Sequence, residues 1–271
     1  KTQGLGGESL ISLEARLSPK TQIENVNSAS PSQQQLNSLL EYYENGRFND
    51  AENLAISITQ EFPKHPFAWK VLGAVLGALG KKSEAVDANQ TAVALSPQDA
   101  AAHSNLGVTL QELGRLDEAL ASYTQAIALK PDYADAYWNL HSIQTTVKGA
   151  EHWIDKCLEV DKNHIKARLT KAALRFYRGD KSDFNNLMQS ELRQHPFMRS
   201  FSWVFSLPNL PELHFDKWRF FDAVIKKSIP AKPFYEFGVW RASSFRYLIK
   251  VFKKGYGFDT FTGLPEDWDV G

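Results

Sequence analysis

The chain reads as mostly α, an α-solenoid of paired helices followed near its end by the truncated start of an α/β (βαβ) domain. Two observations predict this. Through the middle of the chain, windows of sequence recur at a fixed interval of 34 residues. Past Pro233 that interval vanishes, and short β-prone runs alternate with a helical pattern.

The recurrence is specific in residue type. Trp69, Leu72 and Gly73 return as His103, Leu106 and Gly107, and again as Tyr137, Leu140 and His141. The second half of a unit follows in the same register: Gly80, Ala85, Ala92 and Pro97, then Gly114, Ala119, Ala126 and Pro131. Small residues allow neighbouring helix backbones to approach, and Leu72, Leu106, Trp69 and Tyr123 fill the space beside them. Gly80 and Gly114 are placed to end the first helix of a unit, Pro97 and Pro131 to end the second. Spacing and residue types together resemble the tetratricopeptide repeat, two antiparallel helices per unit.

Extending the frame recovers weaker copies. Gly46, Ala51 and Pro63 open the series from about Ser32, Tyr137 starts a fourth unit that loses three residues near Lys148 and Gly149, and a fifth runs from Ile165 through Gly179 to Pro196. The expected organisation is a disordered leader over 1–31, five repeats over 32–196, aromatic-rich capping and connecting helices over 197–232, and an α/β fragment over 233–271. No unit buries its apolar face alone, so the copies must stack.

Composition narrows the class. The 31 basic and 31 acidic residues cancel, which leaves no electrostatic footprint for nucleic acid or an anionic membrane. No run approaches the ~20 apolar residues of a membrane helix, and the first 31 residues lack the order of a signal peptide. Cys157 is the single cysteine, which excludes an internal disulfide and favours a reducing, cytoplasmic setting; its place in the repeat is that of a small core residue. The chain starts at Lys1 rather than Met, as a piece of a longer protein would.

In such a stack the first helices line the concave face. Asn37, Asn105 and Asn139 share the sixth position of their repeats, and each amide offers an acceptor and two donors to the backbone of an extended peptide. Val71 and Thr170 interrupt the ladder. The alternative is that Asn is ordinary usage on a solvated groove. The stretch Ala102 to Gly114 and the run Ala126 to Pro131 resemble the repeats that precede the catalytic half of O-linked N-acetylglucosamine transferases and many bacterial transferases, a resemblance specific for the repeat class and weak for any partner.

Aromatic residues crowd between Phe197 and Phe221, and Phe215, Trp218, Phe221, Val224 and Ile225 fall on one helical face. This predicts an amphipathic helix from about Pro211 to Lys227 that caps the stack. Beyond it, Phe234 to Val239 reads as a strand, Ser243 as the N-cap of a helix carrying Phe245, Leu248, Ile249 and Phe252 on one face, Gly255 as its stop, and Tyr256 to Phe261 as a second strand. Ligands of a βαβ unit sit at the carboxyl ends of its strands, where Gly238 would allow close approach and Asp259, about 20 residues on, could accept ribose hydroxyls. A dinucleotide oxidoreductase is disfavoured because neither further glycine of its fingerprint follows Gly238.

The words Tyr235-Glu-Phe-Gly-Val-Trp-Arg-Ala-Ser-Ser-Phe-Arg246 and Tyr256-Gly-Phe-Asp-Thr-Phe-Thr-Gly-Leu-Pro265 resemble the opening of class I S-adenosylmethionine-dependent methyltransferases, above all the macrocin O-methyltransferase family. The resemblance covers only the last stretch of the chain, and Ala242 stands where that family has Gly. It implies S-adenosylmethionine as cofactor, with Glu236, Gly238 and Asp259 as its contacts. Substrate pocket, catalytic base and any metal ligands would lie beyond Gly271, so no catalytic or metal residue is assigned and the fragment itself is expected to be inactive. Two functions stay open: a methyltransferase whose repeats recruit substrate, and a non-catalytic scaffold that binds a peptide or partner protein.

Overall fold

The computed structural model describes residues 30–229, 232, 234–237, 248, 250–252 and 254–258. They divide between Leu213 and His214 into two compact units.

The first unit is a succession of helix pairs. α1 (Gln33–Glu44) pairs with α2 (Phe48–Glu61), α3 (Pro66–Ala78) with α4 (Lys82–Leu95), α5 (Ala100–Glu112) with α6 (Leu116–Leu129), α7 (Ala134–His141) with α8 (Val147–Val160), and α9 (Ile165–Tyr177) with α10 (Ser182–Met188). A 3₁₀ turn at Glu191–Gln194 leads into α11 (Pro196–Phe205). Each second helix also packs on the first helix of the next pair from α2 through α9, and buried apolar clusters follow one another along the stack.

The repeat residues act as their types require. Gly46, Gly80, Gly114 and Gly179 have φ of 71°, 80°, 78° and 102° and turn the chain out of the first helix of their pairs. At Gly80 the Lys81 N–H then donates to the Leu76 carbonyl at 2.9 Å, and the same bond joins Arg115 to Leu110, the crossed closure of a Schellman end. Close helix approach is equally concrete. A Cβ on Gly107 would lie 2.5 Å from the Tyr123 ring, and one on Gly73 2.2 Å from the Asn89 side chain. Ala85, Ala119, Ala126 and Cys157 have no exposed surface.

One bond recurs through chemically different residues. Trp69 Nε1 donates to the Pro63 carbonyl at 2.8 Å, His103 Nε2 to that of Pro97 at 3.0 Å, and Tyr137 Oη to that of Pro131 at 3.2 Å. In each copy a polar tip near the start of the first helix ties down the proline turn before it, which explains why Trp, His and Tyr are interchangeable there. A second staple spans neighbouring pairs. Lys70 Nζ, almost wholly buried, meets Asp99 at 2.6 Å, and Asp99 also caps α5 by accepting from the amides of Ala101 and Ala102.

Two expectations are corrected. The shortened turn of the fourth unit is not at 148–150: those residues lie inside α8, and the loss falls on α7, which ends at His141. Gly149 cannot act as Gly80 does, because Thr146 caps α8 and accepts from the Gly149 amide at 3.0 Å. Pro196 does not stop the last repeat; it occupies the first turn of α11, where its missing N–H costs nothing. Within the first unit α11, part of the 197–232 segment expected to cap the stack, packs on the last helix pair. Phe205 stacks on Phe176 at 4.2 Å and meets Phe184 edge-on at 5.1 Å, over buried Met198 and Leu169.

In the second unit, α12 (Lys217–Lys227) begins six residues later than the spacing predicted, because buried Asp216 caps it by accepting from the Trp218 and Arg219 amides. β1 (Phe234–Phe237) and β2 (Gly255–Phe258) pair in parallel, Phe234 opposite Gly255 and Phe237 opposite Phe258. The helix predicted from Ser243 falls mostly outside the described residues, though Leu248 and Phe252, two of its apolar positions, are buried.

Candidate functional site

The face formed by the first helices follows from how they pack. α1 touches α3 and α3 touches α5, so these helices form a closely spaced layer. Gln111 of α5 carries the layer on by donating from Nε2 to Ser142 Oγ, just past α7, at 2.9 Å. Shorter spacing on one side of a stack bends it toward that side, which makes the first-helix layer the concave one.

The three Asn residues are not equivalent on it. Asn37 is exposed, and its Oδ1 accepts from Gln33 Nε2 at 2.9 Å, one turn earlier in α1. Asn105 and Asn139 are half-buried, and their side-chain amides have no hydrogen-bond partner among the described residues. Their backbone carbonyls are occupied, by Thr109 Oγ1 at 2.9 Å and Ser142 Oγ at 2.7 Å. The gaps in the ladder are closed positions: Val71 is fully buried and Thr170 nearly so.

Between Asn105 and Asn139 lies a polar link that the sequence did not disclose. Gln111, which the repeat period puts on the groove side, accepts from the hydroxyl of fully buried Tyr123 at 2.9 Å while it donates to Ser142. Burial holds the Tyr123 phenol far above its ordinary pKa, so it stays a donor. The only sequence signal was Tyr123 itself, since a buried tyrosine needs an acceptor.

Next to Asn139, where α7 meets the start of α9, lies an aromatic and imidazole cluster. The Trp138 ring lies 4.0 Å from the His141 ring and 5.3 Å from that of His164, centroid to centroid. Burial, assisted by the His164 charge, pushes the His141 pKa down to about 4 against the Trp138 carbonyl that its Nδ1 contacts. His164 caps α9 through Nδ1 and turns Nε2 toward Asp135 at 3.4 Å. These imidazoles read as structural parts of the α7 and α9 junction. Among the described residues no three His, Cys, Asp or Glu side chains gather as metal ligands would, and no helix is long and apolar enough to cross a membrane.

The proposed cofactor contacts fall at the edge of what is described. Glu236 lies within β1, opposite Gly257. Gly238 and Asp259 each follow the last residue of a strand in sequence and lie outside the described residues.

Comparison with known proteins accounts for the helix pairs. Models of the tetratricopeptide repeat match residues 37–100 and 88–121, and a TPR repeat model matches 110–145. Residues 37–145 are therefore tetratricopeptide repeats. No curated protein sequence matches the chain. Among solved structures, a thermophilic TPR protein of Thermus thermophilus is 20% identical with a TM-score of 0.54, over 65% of this chain and 99% of its own. PilF of Pseudomonas aeruginosa is 18% identical with a TM-score of 0.53, over 70% of this chain and 96% of its own. MamA from Desulfovibrio magneticus is 19% identical with a TM-score of 0.50, over 60% and 96%. At these identities the likeness is one of fold.

Proposed function

We propose, on the premise that residues 37–145 are tetratricopeptide repeats, that this chain captures an extended segment of a partner protein along its first-helix face. The observation that carries the reading is the pair of open amides, Asn105 and Asn139, one repeat apart on α5 and α7, whose backbone carbonyls are already taken by Thr109 and Ser142. An extended peptide presents alternating carbonyl and N–H groups, and an amide side chain answers both. The test is a peptide array probed with the native protein and with Asn105→Ala and Asn139→Ala. Specific hits that weaken by ~1 to 3 kcal/mol in each variant support the reading; hits indifferent to both changes remove it.

A second reading concerns the last unit. The parallel ladder from Phe234 opposite Gly255 to Phe237 opposite Phe258 favours the opening of an S-adenosylmethionine-dependent O-methyltransferase domain, to which the repeats would deliver substrate. What supports such a cofactor is that the ladder ends with Phe237 opposite Phe258, the residues that precede Gly238 and Asp259 in the sequence. The cofactor would supply the methyl group. Asp259 would accept its ribose hydroxyls, Gly238 would leave room for its amino-acid end, and Glu236 would complete the contact set. Calorimetric titration of the full-length protein with S-adenosylmethionine and with NAD distinguishes the possibilities. Saturable binding of the former, weakened by ~1.5 to 3 kcal/mol in Asp259→Ala, supports the methyltransferase; binding of NAD alone, or of neither, returns the protein to a pure scaffold.

A further inference from the structure

At the far end of the first unit, α10, the 3₁₀ turn and α11 enclose a cleft of about 440 Å³ that the groove reading does not use. Its lining is unlike the rest of the stack. Arg193 and Arg199 are exposed, and neither guanidinium has a carboxylate partner among the described residues. Several other cations of the stack are answered, Arg175 by Asp180 and Asp183, Arg178 by Glu151 and Lys70 by Asp99; what marks this cleft is that two guanidinium groups without such partners line it together with an exposed indole. Trp203 lines the same cleft with 66% of its surface exposed, although its neighbours Phe201 and Phe205 turn into the aromatic cap. Met188 adds a deformable apolar wall, and Gln194 and Ser202 add polar groups.

This combination specifies a ligand class. Two open guanidinium groups select carboxylates or phosphates, which they meet with paired N–H donors. An exposed indole beside them offers a flat apolar surface. Trp, Arg and Met are the residue types enriched where proteins contact each other, with Trp and Arg the commonest energetic anchors. A small ligand would be poorly enclosed, since a Trp two-thirds exposed forms a rim rather than a wall. The charge of the whole chain sums to zero, so attraction here is local and comes from this pair rather than from a general basic field.

We infer that this cleft is a second docking site, separate from the first-helix face, for an acidic partner segment in which carboxylates flank an aromatic or aliphatic residue that covers Trp203. The partner is then held at two places, and the end of the stack contributes charge recognition that the Asn ladder, being neutral, does not.

The test uses the full-length protein and an array of eight-residue peptides of graded acidic and aromatic content, probed with native protein, with the pair Arg193→Gln and Arg199→Gln, with Trp203→Ala, and with Asn105→Ala. All four positions are exposed or half-buried, and thermal melts of each variant verify that folding is unchanged. The expected result is a class of hits rich in Asp or Glu beside Phe, Leu or Trp that weakens about tenfold or more in the Arg pair variant and in Trp203→Ala, is lost at high salt, and is untouched by Asn105→Ala. Replacing Glu by Gln in those peptides should abolish them. Competition with inorganic phosphate reports whether the guanidinium pair accepts a bare anion: displacement at millimolar phosphate, with Gln peptides binding as well as Glu peptides, overturns the assignment of an acidic segment. Hits without acidic bias, or acidic hits indifferent to the Arg pair, overturn it as well. Loss of the Asn-dependent hits alone leaves this site standing, so the two readings fail separately.

Discussion

At the level of single residues, the account turns on small side chains that hold helices together and on polar groups whose partners are buried. Ala119 has no exposed surface between neighbouring helices, and Ala119→Leu should overpack that contact at a cost of ~1 to 3 kcal/mol. Gly107→Ala gains helix propensity, yet its Cβ would sit 2.5 Å from the Tyr123 ring, and the clash is expected to win; a fall in Tm checks both. Gln111→Ala is the instructive case. From sequence it was a groove residue that should tolerate Ala silently, because period and spacing locate a residue on a face without revealing whom it bonds. In the structure it is the acceptor for the buried Tyr123 hydroxyl. Its removal should cost ~1 to 3 kcal/mol, and Tyr123→Phe in the same background should recover part of the loss. Urea melts of the three variants decide it, and a silent Gln111→Ala would contradict the network.

Among elements, the junction of α7, α8 and α9 is the place where stability should depend on pH. Burial lowers the folded pKa of His141 to about 4, below its ordinary 6.5, and burial also lowers that of His65. The unfolded chain therefore binds more protons than the folded one between those values. The stability due to neutral His141 is complete above pH 6.5 and is lost as pH falls toward 4, by an amount on the order of 3 kcal/mol. Urea melts at pH 7.5 and pH 5 should show this loss in the native protein and a smaller one in His141→Gln; equal losses would contradict it. Asp99 acts lower on the scale. Burial raises its carboxyl, but Lys70 and the amides of Ala101 and Ala102 outweigh that and leave it below the ordinary carboxylate value, so its contribution is present above that value and disappears as acid protonates it. Asp99→Ala would strip both a cap and the partner of a buried ammonium, at ~3 to 5 kcal/mol.

Element existence was legible because glycine, alanine and proline at fixed spacing carry a steric meaning that survives when most other positions vary. Boundaries were less so. The loss of residues in the fourth unit was placed near Lys148 and Gly149, where the repeat frame slips, whereas Thr146 caps a helix there and the shortening falls on α7. Pro196 was ambiguous, since proline serves equally after a helix and in the first turn of the next. The late start of α12 was written in Asp216, a capping residue hidden within an aromatic-rich run.

For the molecule as a whole, the repeats were the most readable feature because they state the same packing problem several times. The Asn ladder was readable as a pattern, but which of its members are open was not: that depends on burial at Val71 and Thr170, which is tertiary, and on the choice of partner by Asn37, which bonds Gln33 one turn earlier in α1. The cleft at Arg193, Arg199 and Trp203 left no periodic trace, since it arises where the period ends. The central claim is that a partner segment lies along the first helices, and amide hydrogen exchange over residues 30–229, with and without a saturating peptide from the array, tests it most directly. The expected result is added protection in α5 and α7, around Asn105 and Asn139, with α4 and α6 unchanged. Protection confined to the second helices of the pairs would contradict it.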